Sequence, residues 1–218
     1  MTVPGRVEAA ALLLSLDPPE WFVRHSRAVA EVAGWLAARI DGRGTPVDRR
    51  LVESAALLHD ADKALPPDDP AQGLAHGDGS AAWLTRQGHP ELARAVANHP
   101  VTRLLDGDRY KRWAAFASRE ERIVAYADRR AQQRLVSMDE RFASWSRRYP
   151  RLDVEGREVG WDEAELQAVR ARADRLEADV CRAAGVKPGD VRRLAWTGSA
   201  LRAARDRART AAHEGAKP

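Results

Sequence analysis

Ala55-Ala56-Leu57-Leu58-His59-Asp60-Ala61-Asp62-Lys63 reads as the end of a short apolar helix that closes on a histidine and an aspartate. Asp48 stands where it can cap that helix, and Leu65-Pro66-Pro67-Asp68-Asp69-Pro70 is too rich in turn residues to prolong it. His59 and Asp60 therefore sit where the backbone leaves helical geometry, a place where neighbouring side chains can converge. A His-Asp pair is common by chance in a chain this rich in aspartate, so its meaning depends on what surrounds it.

Helical periodicity continues outward on both sides. Gly5–Leu16 reads as a first helix. Pro19 can occupy the first turn of a second, which runs to about Ile40 with Val23, Ala30, Val32, Ala33, Leu36, Ala37 and Ile40 on one face and ends at Gly42-Arg43-Gly44. Further helices are expected over about His76–Gln87, from Pro90 to near His99, and over Ile123–Asp128 behind a capping box of Ser118 and Glu121. Two more are expected over Asp139–Tyr149 and Asp162–Ala184. The latter aligns Leu166, Val169, Ala173, Leu176 and Val180, so it should pack on the bundle or on a second subunit, which leaves a homodimer open. Ala64–Ala75 and Val101–Ala117 read as loops, and Gly198–Pro218 as a weakly anchored helix or a frayed tail. No alternating strand and no internal repeat is evident. The expected fold class is all-α.

Composition narrows the function classes. A chain of 218 residues, 44% hydrophobic and 31% charged, suits one globular domain with an appendage. The longest apolar stretch, Ala9–Leu16, falls far short of the roughly 18 to 20 residues of a membrane span and lacks the flanks of a signal peptide. A cytoplasmic protein with no membrane partner is expected. The single cysteine, Cys181, excludes an internal disulfide framework and a CxxC zinc site; next to Val180 it reads as core. The pI of 9.6 reflects a local excess: Lys187 to Lys217 holds eight Lys/Arg against three Asp/Glu, while the rest of the chain is balanced at −1. The preference for arginine, 32 against 4 lysines, follows more simply from GC-rich codons than from phosphate contacts. Nucleic acid is thus a partner only through the basic tail.

Five of the six histidines (His25, His59, His76, His89 and His99) fall in the first hundred residues. One helix histidine is more often a satisfied structural residue than a ligand, but this clustering favours a metal site built from imidazoles. His25 lies mid-helix, and His76 and His99 lie at helix boundaries beside loops. Asp128 ends the apolar run Ile123–Ala127, where a carboxylate is costly unless paired or metal-bound. His89, before Pro90, reads as a surface residue, as do Arg129 and Arg130 unless they reach substrate. Trp21, Trp35, Trp83 and Trp113 read as core.

In order, His25, His59-Asp60, His76, His99 and Asp128 resemble the H…HD…H…H…D signature of the HD-domain superfamily of metal-dependent phosphohydrolases. The surrounding words agree: Arg24-His25-Ser26-Arg27-Ala28-Val29-Ala30, His76-Gly77-Asp78-Gly79-Ser80, Ala95-Val96-Ala97-Asn98-His99 and Ile123-Val124-Ala125-Tyr126-Ala127-Asp128. The resemblance covers about Pro19 to Gln133 and does not extend to Ser146–Pro218. It suggests a helical bundle over residues 1–150 and a helical C-terminal extension over 151–218.

The resemblance implies that His25, His59, Asp60 and Asp128 hold one divalent metal. His76 and His99 look like the additional ligands of two-metal branches, in which Asp60 bridges the ions. Those branches include bacterial diadenosine tetraphosphate hydrolases, cyclic dinucleotide phosphodiesterases and a few diiron oxygenases. Lys63 stands where many relatives keep a lysine facing the substrate phosphate, whereas Asp62 departs from the usual neutral residue. Mixed imidazole and carboxylate ligands suit Fe²⁺, Mn²⁺, Co²⁺, Ni²⁺ or Zn²⁺ better than Mg²⁺ alone. The implied function is hydrolysis of a nucleotide, dinucleotide or other small phosphate ester or anhydride by a metal-activated water, with Asp60 and Lys63 catalytic. Three rivals stand beside it: a mononuclear nucleotidase that leaves His76 and His99 unused, a diiron oxygenase, and a non-enzymatic adaptor that binds RNA or an acidic protein through its basic end.

Overall fold

The structure, a computed structural model, describes residues 3–148 and 161–215. The expected boundary at 150/151, the last residue of the helix expected over Asp139–Tyr149, and the last three residues of the tail lie outside them. Ten α-helices form among the described residues: α1 (Arg6–Ser15), α2 (Glu20–Asp41), α3 (Arg49–Leu58), α4 (Asp78–Arg86), α5 (Ala93–Ala97), α6 (Gly107–Phe116), α7 (Arg119–Arg129), α8 (Met138–Arg148), α9 (Glu163–Ala184) and α10 (Thr197–Gly215). No strand forms among these residues; one isolated bridge pairs Ala131 with Leu135. The fold is all-α. No helix is long and apolar enough to cross a membrane.

α2 is the axis of the bundle, packing on α3, α7 and α9. Ala28, Ala30, Ala33, Gly34 and Ala37 keep its buried face thin, so neighbouring helices approach closely. A Cβ on Gly34 would meet Glu53 Oε1 at 3.1 Å and Trp196 Nε1 at 3.2 Å. The expected caps form: Asp48 accepts from Leu51 N at 2.9 Å, and Ser118 and Glu121 close a capping box on α7. Pro19 is the N-cap of α2, one position before the first turn assigned to it from sequence. α9 buries Val169, Ala173, Leu176, Val180 and Ala184 and packs on α7 and α2. At about 1.5–3 kcal/mol per large aliphatic side chain, that stripe is a substantial part of the core. Cys181 is buried as expected.

Several expectations are corrected. α4 starts at Asp78 rather than His76, because Gly77 has φ +87 and breaks the helical path. Most of the segment read as the loop Val101–Ala117 is helical, with a 3₁₀ turn at Val101–Leu104 and then α6. The tail is anchored at its start: Trp196, Thr197, Ala200, Leu201 and Ala204 are buried, with α10 packed on α1 and α2. Glu31 draws this segment in. Its carboxylate accepts from Thr197 Oγ1 and from Arg193 Nε (2.9 Å), and its carbonyl accepts from Leu194 N at 2.9 Å. Trp21 is 48% exposed, not core, whereas Trp83 is buried and Trp35 and Trp113 are half-buried.

Candidate metal centre

Five segments deliver six side chains to one point. α2 supplies His25 from its second turn, and α3 ends at Leu58 so that His59 and Asp60 leave its C-terminus together. His76 comes from the turn before α4, His99 from the turn after α5, and Asp128 from the last turn of α7. His59, Asp60, His99, Asp128 and His25 are buried, and His76 keeps 34% of its side chain exposed.

Each imidazole is oriented by its outer nitrogen. His25 Nδ1 lies 2.7 Å from Gln132 O, His59 Nδ1 2.8 Å from Ala56 O, and His99 Nδ1 2.6 Å from Val96 O. A carbonyl only accepts, so these Nδ1 atoms carry the hydrogen and Nε2 turns inward as the free donor of an electron pair. His76 Nδ1 faces the Asp62 carboxylate at 2.9 Å, and the same carboxylate accepts from Gly77 N at 2.7 Å. Asp62, the residue that departs from the usual pattern, thus holds His76 in place.

Asp60 divides the cluster into two lobes. Its Oδ2 lies 3.4 Å from His25 Nε2 and 3.6 Å from His59 Nε2; Asp128 Oδ1 completes that lobe at 3.4 and 3.7 Å from the same two atoms. Its Oδ1 lies 3.2 Å from His99 Nε2 and 3.3 Å from His76 Nε2. Three groups of side chains (His25, His59 and Asp128; His59, Asp60 and His99; Asp60, Asp62 and His76) each place ligand atoms within 4.8 Å of one another. Within the third group the Asp62 oxygens are already engaged by His76 Nδ1 and Gly77 N. Donor atoms about 2.1 Å from one ion and about 90–109° apart lie ~3.0–3.4 Å from each other, so these spacings are close to the edges of a coordination polyhedron.

The electrostatics fit the same arrangement. Burial pushes the Asp60 carboxyl up, but His59, His25, His76 and His99 outweigh it and hold the group well below the usual carboxylate range. Asp128 is likewise held low against burial, by His25, His59 and Arg141. Burial opposes charge on His25, yet Asp128 and Asp60 raise it to about 9; Asp60 and Asp62 do the same for His76, against burial and Lys63. Burial, aided by the neighbouring imidazoles, lowers His99 to about 4 despite Asp60, so it is neutral at physiological pH. Without an ion, protons on His25 and His76 hold the carboxylates together. A divalent cation supplies the same positive charge once those protons leave.

A cleft of about 420 Å³ opens onto the centre, lined by His25, Asp60 and Lys63 together with Trp21, Arg24, Arg134 and Arg141. Lys63 Nζ lies 2.8 Å from Asp60 Oδ2, and Arg141 reaches Asp128 Oδ1 at 3.2 Å. Reasoning from sequence missed Asp62, Arg141 and the carbonyl of Gln132. Only Asp62 carried a signal, as an acid inside the motif. Arg129 and Arg130 are buried and act within the fold: Arg129 donates to the carbonyls of His99, Ala125 and Pro100, and Arg130 to Val136 O, Pro188 O and Glu177. His89 is half-buried and makes no contact with the centre.

An all-α bundle gathering four imidazoles and two carboxylates at one buried point defines a metal-binding helical protein. Residues 22–132, just over half of the chain, match the HD domain, and the chain belongs to the HD-domain family within the metal-dependent phosphohydrolase superfamily. Members bind divalent metals, and the His/Asp groups gathered here can hold one. No curated protein and no solved structure matches the chain.

Proposed function

We propose that this protein is a dinuclear metal-dependent phosphohydrolase acting on nucleotides or other small phosphate esters and anhydrides. One observation carries the reading: the two oxygens of Asp60 face two different pairs of imidazole nitrogens, His25/His59 and His76/His99. In this reading His25, His59, Asp60 and Asp128 hold one ion, and His76, His99 and Asp60 the other. Bound there, the ions supply an acidified water and Lewis-acid stabilisation of the phosphoryl oxygens. The chain does the rest. Gln132, Ala56, Val96 and Asp62 fix the imidazoles, and Lys63, Arg24 and Arg134 make the cleft attractive to an anion.

The cationic lining favours a phosphorylated substrate over a neutral one and so favours hydrolysis over oxygenase chemistry. Trp21 supports a nucleotide. It lies one helical turn before His25 and presents an exposed indole on the cleft wall, where a base can stack. The test is a screen of nucleotides, dinucleotides and simple phosphate esters with Mn²⁺-loaded protein. Hydrolysis that disappears with chelator and returns with Mn²⁺, Co²⁺ or Fe²⁺ is expected. Full activity in excess chelator would contradict the reading.

A further inference from the structure

Arg141 lies beyond the residues that match the HD domain, on α8, yet it reaches the centre. Its guanidinium is 3.2 Å from Asp128 Oδ1, the same oxygen that faces His25 Nε2 and His59 Nε2. The side chain is largely buried, and its Nε has no hydrogen-bond partner among the described residues. The guanidinium stacks over the Trp145 ring, 4.6 Å from its centroid, and lines the cleft beside Lys63.

The helix that carries Arg141 is firmly seated. Ser137 and Glu140 cap its start reciprocally, at 3.0 and 2.8 Å. Asp139 pairs with Arg170 of α9 at 2.7 Å, and that guanidinium lies over Phe142, whose ring meets Trp145 edge-on at 5.0 Å. Arg141 is thus held with donors to spare at the edge of a metal centre. A structural counterion for Asp128 needs one N–H, and a guanidinium offers five in a planar fork suited to phosphate oxygens.

We infer that Arg141 binds the phosphoryl group of the substrate, with Asp128 as its partner while the cleft is empty and Trp145 as the surface that keeps its plane aimed at the centre. A divalent ion on Asp128 competes for the oxygen that Arg141 holds, which frees the fork for an anion in the cleft. Charge-assisted hydrogen bonds from the fork to phosphoryl oxygens are favoured by the partly desolvated setting. The inference rests on the phosphohydrolase reading of the centre, and its test is therefore separated from turnover.

The probe is inorganic phosphate, titrated calorimetrically into Mn²⁺-saturated wild type, R141K and R141Q, with metal content measured on each. Phosphate should bind R141Q about 30-fold more weakly, roughly the worth of one hydrogen bond between charged groups. R141K should be intermediate, and metal content should be unchanged in both variants. Equal phosphate affinity in R141Q and wild type would overturn the inference, as would an absence of phosphate binding to wild type. Loss of metal from both variants would also overturn it, because Arg141 would then serve to hold Asp128. If no ester were hydrolysed while phosphate still distinguished R141Q, the hydrolase reading would fail and the anion site would stand.

Discussion

His25 and His59 present their Nε2 atoms to each other at 3.2 Å, while their Nδ1 atoms face the carbonyls of Gln132 and Ala56. With both rings neutral, two lone pairs would face each other inside a buried pocket, which is unfavourable unless a cation sits between them. A proton or a metal ion can fill that role, and the two compete. The pH behaviour of the protein follows from this competition.

His25 and His76 are raised to about 9 in the metal-free fold. They bind protons more tightly folded than unfolded, so the stability they contribute is full below about pH 6.5 and lost as pH rises through about 9. The unfolding temperature of chelator-treated protein should therefore fall between pH 6.5 and 9.5. Mn²⁺ affinity should rise over the same range, with proton release visible as a buffer-dependent heat of binding. A metal-free protein that gained stability toward pH 9.5 would contradict this assignment.

Replacing a ligand of one lobe should affect the lobes unequally. His76→Ala and His99→Ala each remove a nitrogen facing Asp60 Oδ1. Metal content should fall toward one ion per chain, and the hydrolysis rate by about 100-fold or more, because stabilisation by the second ion is lost. His99 is also fully buried, so its variant should lose more thermal stability than the His76 variant. Two fully active variants with unchanged metal content would favour a mononuclear nucleotidase.

Asp62→Ala should imitate His76→Ala in weaker form. The carboxylate touches no inward nitrogen, but it holds His76 Nδ1 and Gly77 N. Losing such an outer partner weakens metal affinity by about 10–100-fold. Metal titration should show one weakened site and one unchanged site. Two unaltered sites would mean that His76 is held by the turn alone.

The anchored start of α10 makes truncation informative. Removing residues after Arg205 deletes exposed helix and should leave stability nearly unchanged. Removing those after Trp196 strips Thr197, Ala200, Leu201 and Ala204 from the core and leaves Glu31 without Thr197. The loss should be about 2–5 kcal/mol, on the scale of deleting a buried leucine, measured by denaturant unfolding. Equal stability of the two truncations would contradict the observed packing.

The long helices were legible in the sequence because their signals are local: apolar periodicity in α2 and α9, and caps at Asp48, Ser118 and Asp162. α6 was not, since no residue in it is fully buried and Arg109, Lys111 and Arg112 mask its periodicity. The order of histidines and aspartates pointed to the six residues that the fold brings together. Nothing local showed that Arg129 would bury itself among carbonyls, or that Trp21, at the start of the apolar face of α2, would lie beyond the reach of its neighbours. Arg141 was equally hidden, because its approach to Asp128 depends on how the turn after α7 redirects the chain.

The central claim is that Asp60 stands between two ions. Anomalous diffraction from crystals of Mn²⁺-loaded protein, collected at the manganese edge, tests it directly. The expected result is two peaks about 3.5–4 Å apart, one between His25, His59 and Asp128 and the other beside His76 and His99, with Asp60 touching both. A single peak at full metal saturation, or two peaks with Asp60 touching only one, would contradict the account.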